Sequence, residues 1–391
     1  MWPKTDNQAK LLDLAEIISA EISKTAAEHD RANSFPHSHF ELMKTTGYLK
    51  SAVPKTYGGP GYGLTDLTLA QYAIASGDGS TALGVGMHHM AVGTEAIAQK
   101  WPEHLRKKIF ESVLANGSLV NNIASEPELG SPRGGGRPAT TLIPDGDGKW
   151  LLNGRKTWST LAPQLTYAIT FAAVEDGSND TARIAQRMDM DGISITETWD
   201  SMSMRATGSH DIVFENVKVN ADDFIQRANP KSPSNDGIDG AAWFPLLLSA
   251  ANLGVASAAC DYAIDFARNR QPTGAPAPIS KIPHVREQVA RMESLRRLSK
   301  NTLLTTAEDW EFNPEDRPDL LPQIAMTKLS SIDSAIQITD LAIRIVGGAA
   351  LEKSRPLERY FRDVRSGLFN PPIEGRALEQ IAASVLDKEN N

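Results

Sequence analysis

Apolar residues change their spacing twice along this chain. In about the first hundred residues they recur at helical intervals, for example at Leu11, Leu14 and Ile18. Between roughly Ser118 and Ala228 the pattern becomes short runs rich in Val, Ile, Thr and Trp, separated by turn signals. After the polar segment Asn229–Gly240 the helical intervals return. The pattern predicts a helical part, then a β-domain, then a second helical part.

These changes in spacing set the predicted domain boundaries. We assign residues 1–117 to an N-terminal α-helical domain, residues 118–235 to a middle β-domain and residues 236–391 to a C-terminal helical bundle. Within the first domain, Ser51–Thr65 is too rich in Gly and Pro to continue a helix and is predicted to be a loop. The predicted fold class is therefore α+β.

The segment Ala241–Cys260 carries no charged residue and is long enough to span a bilayer. It also contains a proline, an asparagine and two serines, and no second span of this kind follows it. A buried helix at the centre of the C-terminal bundle is the favoured interpretation, and Cys260 is expected to be a buried small hydrophobe. We therefore predict no membrane partner.

Composition and charge narrow the classes of partner. The chain has 391 residues, 40 basic and 48 acidic, which gives a net charge of −8. This balance provides no basic surface for nucleic acid or anionic lipid, so small molecules are the expected ligands. A single cysteine excludes an intrachain disulfide, and the first residues lack the features of a signal peptide. We expect a cytoplasmic protein without a metal site.

Six stretches of the sequence together resemble the acyl-CoA dehydrogenase family in order and spacing. They are VPKTYGG (Val53–Gly59), SEPELGS (Ser125–Ser131), NGRKTWST (Asn153–Thr160), MRATGSHDIVFENVKV (Met204–Val219), RQPTG (Arg270–Gly274) and IVGGAALEKSRPLERYFRDVRSG (Ile345–Gly367). The resemblance implies an N-terminal helical domain, a middle β-barrel domain and a C-terminal four-helix bundle. It also implies FAD, a homodimer or homotetramer, and a role in fatty acid metabolism.

The resemblance assigns the isoalloxazine ring of the flavin to the β-domain loops. Ser125 would hydrogen-bond the flavin and Ser131 would face substrate. Trp158 would lie beside the ring and Thr160 near its N5 atom. Without the resemblance, the first loop is an ordinary turn and Trp158 is a core aromatic.

Three further residues are assigned to the phosphate and ADP end of FAD. Arg270 resembles the arginine that reaches the pyrophosphate from a neighbouring subunit, a role that suits a planar guanidinium. Gly347 and Gly348 match the double glycine against which the ADP part packs. Thr273 stands where the family usually has phenylalanine. Taken alone, Arg270 is a solvated charge at a helix end and the glycines are a helix C-cap.

Glu374 is the candidate catalytic base. Dehydrogenation of an acyl-CoA removes an α-proton while hydride passes to flavin N5, so a carboxylate must lie opposite the flavin. The family carries this glutamate before a glycine, after an Arg-Asp pair, and the chain has Arg362-Asp363 and then Glu374-Gly375. The spacing is about three residues longer than usual. A carboxylate in the first turn of a helix also complements the helix dipole, and both interpretations stay open.

A second reaction runs on the same scaffold. Flavin-dependent monooxygenases of the dibenzothiophene type take reduced FAD or FMN from a flavin reductase, use oxygen and need no carboxylate base. His88 and His89 lie in the helix that borders the substrate pocket in the family, so they are candidate substrate-binding residues. Adjacent helical residues point to different faces, so at least one of them is expected to be structural or exposed.

The primary prediction is an FAD-dependent oxidoreductase that dehydrogenates an acyl-CoA thioester. The electron acceptor stays open between an electron-transfer flavoprotein, oxygen and none. The alternatives are the monooxygenase, with a flavin reductase as partner, and a catalytically weak relative that retains the cofactor site.

Overall fold

The first part of the chain folds into five α-helices. The computed structural model describes residues 2–128, 136–229 and 238–387. The helices of its first range are α1 (Asp6–Ala32), α2 (His37–Thr45), α3 (Leu64–Gly77), α4 (Gly79–Ala98) and α5 (Glu103–Asn116). Most of the Gly- and Pro-rich stretch Ser51–Thr65 lies between α2 and α3, as its composition predicts.

The start and the buried face of α1 follow directly from its sequence. The Thr5 side chain accepts a hydrogen bond from the backbone N–H of Gln8 and so caps the helix. Leu11, Ile18 and Ile22, which recur at helical spacing, are buried. This face packs against α3, which lies inside the N-terminal domain.

The described residues of the middle part form one eight-stranded sheet. Its strands are β1 (Val120–Ile123), β2 (Thr141–Pro144), β3 (Lys149–Lys156), β4 (Tyr167–Val174), β5 (Thr181–Arg187), β6 (Ile193–Thr196), β7 (Asp211–Asn220) and β8 (Phe224–Ala228). The strand order is β6-β7-β3-β2-β4-β5-β8, and β1 pairs in parallel with β4. The end of β3 therefore lies next to the start of β7, and the loops that leave these two ends build one edge of the candidate site.

The last part is helical again. It consists of α6 (Trp243–Asn269), α7 (Pro283–Phe312), α8 (Arg317–Val346), α9 (Leu357–Asp363) and α10 (Glu374–Leu386). Helix α6 packs against α3, α4, α7 and α8, and α10 packs against α8. The order helices, sheet, helices confirms the predicted three-part fold.

Helix α6 is the central helix of the molecule. A Cβ atom at Gly254 would collide with the backbone oxygen of Tyr72, so this glycine permits the close approach of α6 and α3. Two segments of the described chain are apolar enough to cross a membrane by length and composition, and 89% of the apolar window in Trp243–Asn269 is buried. Cys260 on this helix is also buried. The prediction of a buried core helix is confirmed for this segment.

All three parts of the chain meet at the loop of residues 199–209. The Asn33 side chain donates to the Trp199 oxygen at 2.6 Å from the N-terminal domain. From the C-terminal bundle, the Asp363 carboxylate accepts the backbone N–H of Met204 at 2.8 Å, and Arg362 donates to the Met202 oxygen at 2.8 Å. These bonds fix the loop relative to the bundle.

Candidate active site

Trp158 is the most conspicuous side chain at the end of β3. Its backbone has a φ of 55°, a region that non-glycine residues rarely occupy. Its side chain is nevertheless 64% exposed, so the core interpretation of this tryptophan is wrong. The ring meets Trp199 edge-on with a centroid distance of 6.2 Å. A strained backbone that holds a large aromatic ring at the surface is typical of a ligand platform.

Ser125 lies directly beside this platform. The backbone N–H of Thr157 donates to the Ser125 oxygen at 2.9 Å, so the Ser125 loop runs next to the residue before Trp158. The structure therefore brings together two stretches that are about thirty residues apart in the sequence. Ser131 lies outside the described residues, and its predicted contact with substrate stays a prediction.

A buried ion pair holds the two loops in register. The Lys156 ammonium, with no exposed surface, donates to Glu126 Oε1 at 2.6 Å. The same carboxylate accepts the backbone N–H of Ala139 at 2.7 Å and that of Thr140 at 3.0 Å. Burial alone would raise the pKa of Glu126, but these hydrogen bonds outweigh it and hold that pKa below its ordinary value.

Thr160 forms one end of a chain of hydroxyl groups. Its Oγ1 lies 2.9 Å from Ser209 Oγ, which lies 2.8 Å from Thr207 Oγ1. The Thr207 hydroxyl donates to the Met204 backbone oxygen at 3.0 Å. Thr160 is half-buried, whereas Ser209 and Thr207 are buried, so the chain has one accessible end.

Two polar atoms near Thr160 are buried without a hydrogen-bond partner among the described residues. They are Ser159 Oγ and Asn121 Oδ1, and the Asn121 amide nitrogen already donates to the Thr160 oxygen. Buried polar atoms without a protein partner are free to hydrogen-bond a ligand that enters there. An aromatic platform, hydroxyl groups and unpaired polar atoms together fit the ring system of a flavin.

A second candidate region lies at the end of α6. Arg270 and Arg355 line a cleft of about 280 Å³ together with Tyr262 and Phe266. Arg355 donates to the Tyr262 hydroxyl at 3.1 Å, and its guanidinium lies over the Phe266 ring. Two guanidinium groups beside aromatic side chains suit a phosphate or pyrophosphate with an attached base.

The two glycines of the predicted ADP contact end α8. Gly347 caps the helix with a φ of 71°, which explains glycine at this position. A Cβ atom at Gly348 would meet no atom of the described chain within 4 Å. The described chain therefore gives no steric reason for glycine at position 348. The open surface at Gly348 leaves room for a ligand or a second subunit.

Glu374 is the first residue of α10 and is exposed. This position is the first helical turn, where a carboxylate complements the helix dipole. The Glu374 charge acts on the buried Lys328 of α8, the helix against which α10 packs. Burial lowers the pKa of Lys328 to about 8, and the carboxylates of Asp333 and Glu374 oppose that shift. The catalytic role of Glu374 stays a prediction.

The structure gives His88 and His89 structural positions rather than a place in a pocket. His88 Nε2 lies 2.7 Å from the Leu49 oxygen, and its Nδ1 accepts the Val120 N–H at 3.1 Å. His89 Nε2 lies 3.2 Å from the Tyr48 oxygen. Burial lowers the pKa of His88 to about 4 and that of His89 to about 3, so both are neutral near pH 7. The expectation that they contact substrate disagrees with their complete burial. Both rings have structural positions, which agrees with the expectation that at least one of them is structural or exposed.

Several residues that build the site were not predicted from the sequence. The Lys156–Glu126 pair, the hydroxyls of Ser209 and Thr207, and Asp363 all support the loops around Trp158. They lie inside the stretches that carry the family resemblance. Their pairing depends on contacts between distant segments, which the sequence spacing does not reveal.

Comparisons with known proteins identify the family. The acyl-CoA dehydrogenase N-terminal, middle and C-terminal domains match residues 5–116, 122–217 and 243–370. The Bacillus subtilis protein named "Putative acyl-CoA dehydrogenase YdbM" is 35% identical over 388 residues, which cover 99% of each chain. The amino sugar nitrososynthase RubN8 of Streptomyces rubradiris is 30% identical and covers 98% of this chain and 91% of RubN8.

A solved structure extends these similarities to three dimensions. KijD3 in complex with FMN and dTDP-3-amino-2,3,6-trideoxy-4-keto-3-methyl-D-glucose is 28% identical to this chain, with a TM-score of 0.87. The match covers 100% of this chain and 96% of KijD3. With matches to all three domain families and full-length relatives, the chain belongs to the acyl-CoA dehydrogenase family.

Proposed function

We propose that this protein is a flavin-dependent oxidoreductase whose flavin ring binds at the Trp158 loop. The observation that carries this proposal is the exposed Trp158 ring on a strained backbone, beside half-buried Thr160. The FMN bound to the relative KijD3 supports it. A bound flavin would supply the redox chemistry, either by accepting a hydride or, when reduced, by reacting with oxygen.

Different residues of the chain would bind different parts of the flavin. Trp158 would pack beside the ring, and Thr160 and Ser125 would hydrogen-bond its polar edge. Arg270 would bind the pyrophosphate of FAD, and Gly347 and Gly348 would contact its ADP part. An FMN ligand would leave the Arg270 cleft to other anions.

Of the two reactions on this fold, we favour oxygenation with reduced flavin supplied by a separate reductase. Proton abstraction from a thioester requires a carboxylate that is shielded from water and held against the substrate. Glu374 is exposed, begins a helix and acts on Lys328 across the α8–α10 contact. The name of the nitrososynthase RubN8 denotes oxidation of an amino group, which supports this reaction class. KijD3 binds FMN and a nucleotide-linked amino sugar, so an amino sugar is the first substrate to test.

Dehydrogenation of an acyl-CoA is the second candidate. Two exposed apolar residues, Phe369 and Ile373, come shortly before Glu374 in the sequence, and an apolar substrate would suit such neighbours. The name of YdbM and the order Arg362-Asp363, then Glu374-Gly375 also favour it. In this case an electron-transfer flavoprotein would be the acceptor.

One experiment separates these reactions. The flavin-loaded protein is titrated without oxygen with acyl-CoAs of different length, in the wild type and in Glu374→Gln. A parallel set receives a flavin reductase, oxygen and nucleotide-linked amino sugars, and oxygenated product is measured. Oxygenated product without flavin bleaching supports the monooxygenase. Bleaching that disappears in Glu374→Gln makes Glu374 the base and overturns the preferred reaction.

A homo-oligomer completes the proposal. The apolar residues Leu378, Val385 and Leu386 are exposed on α10, and Arg270 and Gly348 are exposed at the far end of α6 and α8. An apolar surface of this kind is typical of an interface between subunits. Sedimentation equilibrium of the wild type and of Leu378→Glu measures the subunit number, and a monomeric wild type would contradict it.

A further inference from the structure

We propose that Thr160, Ser209 and Thr207 form a polarised hydroxyl relay that makes the site prefer reduced flavin to oxidised flavin. The proposal rests on the proposed function in one respect, namely that Thr160 hydrogen-bonds the flavin ring, at the N5 atom to which the family resemblance assigns it. It goes beyond that function because it assigns a role to Ser209 and Thr207, which do not reach the ligand.

The direction of the relay follows from its closed end. The Met204 backbone oxygen can only accept, so the Thr207 hydroxyl must donate to it across 3.0 Å. A hydroxyl has one proton, so Ser209 must donate to Thr207 across 2.8 Å. For the same reason Thr160 must donate to Ser209 across 2.9 Å. Thr160 is then left with acceptor lone pairs only.

This polarity selects the redox state of a ligand. Reduced flavin carries an N–H at N5 and can donate to Thr160 without any change in the relay. Oxidised flavin has an acceptor at N5, so two acceptors would face each other. A polar atom that is buried against another acceptor loses its hydrogen bond.

Oxidised flavin requires the Thr160 proton to turn towards N5, and the bond to Ser209 then survives only if all three hydroxyls reverse. Thr160 would then donate to the flavin, Ser209 to Thr160 and Thr207 to Ser209. The Met204 oxygen would lose the Thr207 hydroxyl and keep the Trp199 indole N–H at 3.1 Å. The cost is about one neutral hydrogen bond, which corresponds to roughly a fivefold difference in affinity.

The burial of the relay protects this polarity. Thr207 is 1% exposed and Ser209 is 4% exposed, so water has little access to the inner members. The loop that carries them is fixed by Asp363, whose carboxylate accepts the Met204 N–H at 2.8 Å. Only Thr160 lies at the candidate site. A change at Thr207 therefore affects the ligand through the protons that Ser209 and Thr160 donate.

The test measures dissociation constants for reduced and oxidised FMN under anaerobic conditions. We compare the wild type with Thr207→Val, which has the same shape and no hydroxyl, and with Thr207→Ser, which keeps the hydroxyl. Thr166→Val is the matched control, since Thr166 lies in the same domain and bonds the Leu119 N–H instead. Ser209→Ala is a second way to break the relay.

The relay predicts that wild type and Thr207→Ser bind reduced FMN about fivefold more tightly than oxidised FMN. In Thr207→Val and Ser209→Ala this ratio should fall towards one, while Thr166→Val keeps the wild-type ratio. Equal weakening of both redox states in Thr207→Val would overturn the relay and leave Thr207 a purely structural role. If the wild type binds neither redox state, the proposed function itself fails.

Discussion

The buried Lys156–Glu126 pair allows a quantitative prediction of the free energy of unfolding. Lys156→Met removes the ammonium and leaves the Glu126 carboxylate buried beside β2 and β3. Breaking a buried pair by removing one partner costs about 3–5 kcal/mol, because an uncompensated charge stays buried. Glu126 keeps two backbone N–H donors, at 2.7 Å and 3.0 Å, so we expect the lower end, about 3 kcal/mol.

The same substitution should also disturb the ligand site. Glu126 follows Ser125 in the sequence, and Lys156 precedes Thr157, whose N–H bonds the Ser125 oxygen. Loss of the ion pair should therefore allow the Ser125 loop to shift relative to Trp158. We expect weaker flavin binding in Lys156→Met at temperatures where the protein is still folded.

The assay is urea unfolding combined with flavin titration. A double variant, Lys156→Met with Glu126→Gln, removes both charges and should recover part of the lost stability. Arg187→Met is the matched control, because Arg187 and Asp189 form an exposed pair in the same domain at 2.6 Å, and such pairs contribute about 0–1 kcal/mol. If Lys156→Met costs no more than Arg187→Met, or if the double variant shows no coupling, the role assigned to the pair is refuted.

Three further predictions concern single groups. Burial raises the pKa of Asp363 to about 7. The contribution of Asp363 to the free energy of unfolding should therefore rise as the pH falls from 7 towards 4. Unfolding measured at each pH should show that Asp363→Asn removes this pH dependence. Burial lowers the pKa of His88 to about 4. The stability that neutral His88 contributes is therefore complete above pH 6.5 and is lost as the pH falls towards 4. His88→Gln should reduce this loss of stability in acid and leave flavin binding unchanged. Arg270→Ala should weaken FAD about tenfold and FMN little in equilibrium titrations, because only FAD reaches the Arg270 cleft; equal loss for both would place the cleft outside the flavin site.

The fold was largely predictable from the sequence because each part keeps one hydrophobic period. The buried positions Leu11 and Ile18 repeat at helical spacing, and β3 and β7 lie within the predicted β-domain. The start of α10 at Glu374 follows from the proline pair before it and the helical pattern after it.

Parts of the site could not be predicted, since they depend on packing between distant segments. Tryptophan is a residue type common in protein cores, and only the backbone conformation and exposure of Trp158 show that it faces outwards. His88 and His89 were expected to point to different faces, yet both rings reach the same turn at Tyr48 and Leu49 because α4 is buried on all sides there. The direction of the Thr160 relay depends on one carbonyl, that of Met204, which no sequence pattern marks.

The proposed function depends on a flavin ring that binds at the exposed Trp158 side chain. The most direct measurement is an equilibrium titration of the protein with FMN and FAD, followed by flavin fluorescence, in the wild type, Trp158→Ala and Trp2→Ala. Loss of one aromatic contact is expected to weaken binding about tenfold in Trp158→Ala, while Trp2→Ala, at the far N-terminus, binds as the wild type does. Equal affinities in all three proteins would contradict flavin binding at Trp158 and place the flavin elsewhere.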